Sequence, residues 1–380
     1  MTVFDADVIV VGLGAWGSSA LWRLAERGVN AIGIERYGLG HEYGSSHGAT
    51  RLFRLACLEH PGLVPVARRA GELWRELERR TGEELLRITG GIMIGPPDGR
   101  TVAGTLAAAR AHDLPVEELD AAALRARFPQ HAGVPDDFVG VWDPNAGAVR
   151  PELGVNAACR AAVAAGARVY ADTRVSGVEL IDGGAVVTTP ARVFRARQVV
   201  VTAGPWLGKL VPDLPLDVRR TPMMWFSAKE DPEAFAIDRF PVFIRHLDDD
   251  TSIWGHGSVY GHEVKVGLED AGDHFASTDP DECDRGITPR DHGTLSRVLR
   301  TAVPGLDPAP ARAIACMITN SPDAQFMIGR PRRDPRLIVG GGCTGHGFKH
   351  ATAVGEAIAQ LAVGEETFCD LSFTDPNRFL

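Results

Sequence analysis

A chain of 380 residues, 44% apolar and 23% charged, can bury a large core and reads as an ordinary globular protein of two domains or one interrupted domain. Its net charge of −9, from 40 Lys+Arg against 49 Asp+Glu, argues against nucleic acid or an anionic membrane as the main partner, because no basic run offsets it. Met1 leads almost directly into the first apolar run and no window reaches bilayer length, so a cytoplasmic chain without a signal peptide is expected. The six cysteines, Cys57, Cys159, Cys283, Cys316, Cys343 and Cys369, show no C-x-x-C and no ligand-like spacing with histidine. Reduced thiols and no metal site are therefore expected.

The first element is Asp7–Val11, an unbroken β-branched run suited to a parallel strand covered on both faces. Gly12, Gly14 and Gly17 follow as G-x-G-x-x-G. The first glycine serves a tight turn, the second the close approach of a pyrophosphate, and the third the packing of helix on strand. The helix, roughly Ala15–Arg27, stops near Gly28, and its N-terminus would face the phosphates. A second strand, Ala31–Ile34, delivers Glu35 about 20 residues beyond the glycines, where a carboxylate can accept from the adenosine ribose hydroxyls. Strand, glycines, helix, strand and terminal acid in register predict a dinucleotide site.

A polar, glycine-rich loop then ends in Arg51 and Arg54, which are either solvated or aimed into a cleft. Helices are predicted over Leu63–Arg79, Thr101–His112 and Pro151–Ala165, with a strand at Gly90–Ile94 and a turn at Pro144–Ala146. Arg168–Tyr170 resembles the strands of the first unit. Val175–Val187 and Val193–Ala196 suggest a hairpin, and Gln198–Thr202 returns to a buried β-rich run before Ala203, Gly204 and Trp206. From about Thr221 the pattern changes to alternating segments, Met223–Ala228, Pro241–His246, Ser252–Gly255 and His262–Leu268, consistent with an antiparallel sheet free to cover a ligand with one face. Leu337–Val339, a loop with five glycines over Gly340–Gly347, and a helix Lys349–Val363 stopped by Gly364 return to the first style. The predicted fold class is α/β, or α+β overall. A discontinuous Rossmann-type dinucleotide-binding domain is assigned to residues 1–85, 148–218 and 322–380, and an antiparallel-sheet substrate domain to 86–147 and 219–321.

These residues, taken with GSSHGATRLFR, WDPNAGAV, CMITNSPDAQFMIG and GHGFK, resemble the monomeric sarcosine oxidase and N-methyltryptophan oxidase family of the D-amino acid oxidase superfamily, over essentially the whole chain. The resemblance implies FAD joined through its 8α carbon to the sulfur of Cys316. It also implies a substrate carboxylate held by Arg54 and Lys349. Lys265 is implied as the cation that favours electron transfer to dioxygen, and Arg51 as a neighbour of the flavin. At about 4 Å in a partly shielded site a fixed positive charge contributes roughly 4 kcal/mol, or about 10³-fold in rate if fully expressed. Cofactor contacts are further implied for Arg36, Ser45, His47, Thr50, Val175, Ala203, Gly204, Trp206, Gly345, Gly347 and Phe348. The 340–347 loop and the helix after it can aim N–H groups and a positive dipole end at the flavin carbonyls.

The chain departs from the family's sarcosine-type pocket. Trp254 and Ile318 stand where tyrosines are typical, Glu269 where a histidine is, and Arg245 where an apolar wall is expected. Arg245 and Glu269 either hold a polar substrate side chain or pair with each other. The expected activity is oxidation of an N-methyl or other secondary amino acid to an imine, by a monomer, with oxygen going to hydrogen peroxide. The rivals are a cyclic imino acid oxidase of pipecolate or proline type, a dehydrogenase using another acceptor, and a flavin-binding regulator without catalysis.

Overall fold

The computed structural model describes residues 3–247, 251–259, 261–269 and 275–380. Strand Ala6–Val11 pairs in parallel with Ala31–Ile34 on one side and with Val193–Val201 on the other. Arg168–Tyr170 and Leu337–Gly341 extend the same sheet outward, also in parallel. The side chains of the first strand alternate between two cores. Val8 and Val10 face helices Ala15–Glu26, Leu63–Thr81, Pro151–Ala164 and Ala351–Val363, whereas Ile9 and Val11 pack with Val199, Val201, Leu207 and Leu214. Both faces are dry, which is why the run is apolar without alternation.

The two segments predicted over 193–202 are one strand, Val193–Val201. Its first half pairs antiparallel with the hairpin Gly177–Ile181 and Gly184–Thr188, and its second half pairs in parallel with Leu337–Gly341. Arg197 does not break it, because an outward side chain needs no burial there; it pairs with Asp7 at 3.1 Å and stays 64% exposed.

The second large sheet runs in the order Arg312–Asn320, Asp217–Ser227, Glu263–Leu268, Ser252–His256, Val242–His246, Gly91–Gly95, Val139–Asp143, Glu117–Leu119. It is antiparallel except where Val242–His246 runs parallel to Gly91–Gly95. Its far face is covered by helix Pro289–Ala302 through Leu295, Leu299 and Ala302. That helix lay outside the predicted elements although its start is marked, by Pro289 in the first turn and a Thr288–Asp291 capping box. Strand Arg312–Asn320 also lay outside them; it is paired along its whole length with Asp217–Trp225. A small third sheet, Arg51–Phe53, Gly147–Val149 and Leu86–Ile88, lies where the expected boundaries at 85/86 and 147/148 fall. No helix of the described residues is long and apolar enough to cross a membrane.

Candidate active site

The strand–glycine–helix unit opens onto a long cleft, and backbone sterics explain its glycines. Gly12 has φ +89°, and a Cβ there would sit 2.7 Å from the Thr202 carbonyl oxygen. A Cβ on Gly17 would lie 1.8 Å from the Gly12 oxygen, so only glycine lets the helix close on the turn. Gly17 does not line the cleft, whereas Gly12 and Gly14 do. Glu35 is buried at the end of its strand, with Oε2 accepting from Leu13 N at 2.8 Å and Oε1 from Tyr37 N at 3.1 Å. Oε2 keeps a lone pair for a ribose hydroxyl, and Oε1 also lies 3.3 Å from His41 Nε2. Arg36, Val175, Ala203, Gly204 and Trp206 line the same end, and Ser45, Gly347 and Phe348 line the other. The donor set fits a dinucleotide: helix N-terminus, carboxylate, then a glycine-rich loop. Trp16 ties the two glycine-rich segments together, donating from Nε1 to the Gly347 carbonyl at 3.1 Å.

The last helix, expected from Lys349, runs over Ala351–Val363, and Lys349 sits in the turn Phe348–His350 that enters it. Lys349 and Arg54 are 3% and 4% exposed, and both reach Oε1 of Glu59, at 3.1 and 2.5 Å. Burial alone would lower Arg54 and raise Glu59, but the pairing overrides it. Arg54 is held above the ordinary arginine range, and Glu59 is pulled well below the carboxylate range by Arg54 and Lys349. Sequence reasoning missed Glu59; its partner Lys349 is 290 positions away, and no local signal marks it.

The second cation group lies on the near face of the large sheet. Lys265 is fully buried, opposite Trp225 on one neighbouring strand and His256 on the other. Its ammonium donates to the carbonyls of Gly48 at 2.8 Å and Thr50 at 2.9 Å, and lies 5.0 Å above the Trp225 ring and 5.8 Å from that of Trp254. Burial, then Arg51, push its pKa well below the ordinary lysine value. The carbonyls and ring faces favour the charged form, and burial opposes it. Cys316 shares this face with Met223 and Trp225. Arg51 Nη2 lies 3.9 Å from its sulfur, and burial raises the thiol's pKa while Arg51, Lys265 and Arg285 oppose the rise. The adjacent Ser45 hydroxyl donates to the Met317 carbonyl at 2.7 Å, which joins this group to the cleft. His47 is buried here too, its pKa lowered to about 3 by burial, Arg51 and Lys265. Ile318 faces the glycine loop, 3.6 Å from where a Gly345 Cβ would be.

Arg245 requires a correction. It is buried on the opposite face, donating to the carbonyls of Ala302 at 2.8 Å and Ala132 at 2.7 Å. The neighbour that faces the Trp254 side is Ile244, so the wall is apolar after all and Arg245 is not among the pocket groups. Nor does Arg245 pair with Glu269, whose carboxylate meets Arg100 at 3.4 Å and is 27% exposed. Burial, and then the charge of Glu59, raise the Glu269 pKa. Two further residues escaped the sequence. His256 hydrogen-bonds Thr50. Asp281 accepts from Trp206 at 2.8 Å and pairs with Arg36 at 2.5 Å, closing the adenosine end.

The comparisons agree with this geometry. The family model described as FAD dependent oxidoreductase matches residues 7–361. The chain is 35% identical to monomeric sarcosine oxidase of Streptomyces avermitilis over 98% of its length and 97% of the relative's. It is 33% identical to N-methyl-L-tryptophan oxidase of Yersinia pestis, over 99% of this chain and all of that one. NikD, an amino acid oxidase essential for nikkomycin biosynthesis, superposes with a TM-score of 0.84 at 27% identity, covering 98% of each chain. A cleft built for a dinucleotide beside two buried cation groups is thus accompanied by likeness over nearly the full length, and the chain belongs to the FAD dependent oxidoreductases of the monomeric sarcosine oxidase and N-methyltryptophan oxidase family.

Proposed function

We propose that this chain is an FAD-dependent amine oxidase that converts an N-methyl or other secondary amino acid to an imine and dioxygen to hydrogen peroxide. When bound, FAD supplies the two-electron acceptor for the C–N oxidation and passes the electrons to oxygen. The observation that carries the reading is the convergence of Arg54 and Lys349 on a single buried carboxylate oxygen of Glu59. A guanidinium fork and an ammonium aimed at one oxygen form a carboxylate receptor, and Glu59 offsets one of its two positive charges in the absence of substrate. A substrate carboxylate in that place fixes the C–N bond in one orientation, which supplies much of the catalytic advantage.

Trp254 and Ile318 supply apolar walls, and Lys265 with Arg51 supplies the positive field on the oxygen side. We further infer a thioether from Cys316 to the flavin 8α carbon; Arg51, Lys265 and Arg285 support it by opposing the burial that holds the thiol protonated. In this reading residues 1–85, 148–218 and 322–380 bind FAD, residues 86–147 and 219–321 bind substrate, and the protein acts as a cytoplasmic monomer.

The test is anaerobic mixing with a panel of N-methyl and cyclic secondary amino acids while the oxidised flavin band is followed. Bleaching by at least one of them, with peroxide formed on admitting air, is the expected result; a panel that leaves the band intact removes the reading. Formaldehyde release separates N-methyl substrates from cyclic ones. Acid precipitation tests Cys316, since yellow colour left in the supernatant contradicts a thioether.

A further inference from the structure

Lys265 owes its place to a residue that no motif marks. Its two carbonyl acceptors belong to Gly48 and Thr50, on either side of Ala49. A carbonyl holds a donor only as firmly as its own peptide is fixed; inside this turn Thr50 N donates to the Gly48 carbonyl at 2.7 Å and Arg51 Nη1 to the Thr50 carbonyl at 2.9 Å, but the backbone so closed is strained. Gly48 has φ +97° and Ala49 φ +63°, and Ala49 pays a steric cost for its left-handed conformation. The turn is therefore pinned from outside at two points. At one, Oε1 of Glu152 accepts from Gly48 N at 2.6 Å and Ala49 N at 3.1 Å. At the other, the Thr50 hydroxyl lies 2.7 Å from Nε2 of His256.

His256 can act as a fixed post. It is 2% exposed, and its Nδ1 lies 2.7 Å from the Gly257 carbonyl. A carbonyl only accepts, so Nδ1 carries the ring proton and Nε2 is left to accept from the Thr50 hydroxyl. Burial lowers the imidazole's pKa to about 4, which keeps the ring neutral and Nε2 free to accept. The backbone adds to this arrangement, because His256 is the residue directly across the strand pair from Lys265.

We propose that His256 is a positioning residue for the oxygen-facing ammonium: it fixes the Thr50 hydroxyl, and through that residue the carbonyl that holds Lys265 Nζ. The inference rests on the assignment of Lys265 to oxygen given above. It concerns the step after substrate oxidation, so substrate identity does not enter the test.

The flavin of the holoenzyme is reduced with dithionite under nitrogen and then mixed with oxygen, in the parent, His256→Phe, His256→Gln, Thr50→Val and Lys265→Met. Loss of one buried hydrogen bond of this kind corresponds to about tenfold slower reoxidation in His256→Phe and in Thr50→Val. His256→Gln, which retains an acceptor, should recover most of the rate. A variant carrying both His256→Phe and Thr50→Val should be no slower than the slower single one, because both remove the same link. Anaerobic reduction by a substrate should change less than about twofold in His256→Phe and His256→Gln, since His256 acts through Lys265, on the oxygen side. In ¹⁵N-histidine spectra, with or without flavin, His256 should show the Nδ1–H tautomer and an Nε2 resonance that moves in Thr50→Val. Reoxidation at the parent rate in His256→Phe, equal slowing of both half-reactions, or an Nε2–H tautomer would each overturn the proposal. If Lys265→Met itself reoxidises at the parent rate, the fault lies with the role of Lys265; if it is slow while His256→Phe is not, only the positioning claim fails.

Discussion

The two cation groups of this molecule are buried to the same depth and balanced in opposite ways. Arg54 and Lys349 carry an internal counterion, Glu59, within 2.5 and 3.1 Å. Lys265 has two neutral carbonyls and two indole faces instead, with a second positive charge, Arg51, close enough to depress its pKa. A charge buried without a counterion is costly, and proteins retain one where a later guest supplies the opposite sign. The first group is thus built to exchange one carboxylate for another, and the second to meet negative charge that arises during turnover. This difference gives each group its own signature under mutation.

The largest expected effect is on the second group. Lys265→Met keeps the chain length and removes the charge, and reoxidation of reduced flavin by oxygen should slow by about 10³-fold. Anaerobic flavin reduction should stay close to the parent rate. Stopped-flow measurement of the two half-reactions checks this, and equal loss in both would merge the two groups into one function.

In the first group, Glu59→Gln leaves two buried cations without a charge partner, and stability should fall by about 3 kcal/mol, the lower end for breaking a buried pair. Carboxylate ligands should then raise the melting temperature more in the variant than in the parent, because they replace what was removed. The pH dependence has a definite sign. The folded pKa of Glu59 lies well below its ordinary value, so the stability it contributes is fully present above about 4.5 and is lost as pH falls through the folded value. Glu59→Gln should remove that acid-side loss, as thermal melts between pH 3 and 7 would show. Lys349→Met should weaken substrate binding by about 2 kcal/mol, roughly 30-fold in kcat/KM, the scale of one charge-assisted hydrogen bond. The rate of reoxidation after chemical reduction should not follow.

How much of this was legible from sequence depended on the range of the forces involved. Gly12, Gly17 and Glu35 were readable because turn sterics and helix closure act between near neighbours. The helix of Pro289–Ala302 was equally local and was missed although its capping box and its Leu295–Leu299 spacing are visible. Arg245 shows a different limit. In Val242–His246 the first three residues are all apolar because both faces of the strand are buried, so alternation does not tell which face a given position takes. Only the register against Ser252–His256 and Gly91–Gly95 settles it. His256 was invisible for a third reason, its partner Thr50 lying 206 positions away; Glu59 stands five positions from Arg54, but the convergence that gives it meaning needs Lys349, 290 positions away.

Glu269 sharpens the comparison at its smallest scale, because it is a carboxylate within the field of the same cations but on the solvent side. Glu59 is 7% exposed and touches both cations, whereas Glu269 is 27% exposed and, among the described residues, pairs with Arg100, itself 65% exposed. A pair so open to water contributes at most about 0.5 kcal/mol. The shifts of the two carboxylates have opposite signs: burial and the charge of Glu59 raise Glu269 above its ordinary value. An acid whose folded pKa is raised adds stability below about 4.5, and that stability is lost as pH rises through the folded value. Glu269→Gln should therefore leave the melting temperature at neutral pH unchanged or slightly higher, while Glu59→Gln lowers it. The charge of Glu269 is felt by Arg54, so Glu269→Gln should also shift substrate preference, away from amines with a cationic side chain and toward anionic ones, with no change in the rate of reoxidation. A substrate panel compared across the two variants decides it. A large drop in stability for Glu269→Gln would mean that this carboxylate, like Glu59, serves as a counterion inside the protein.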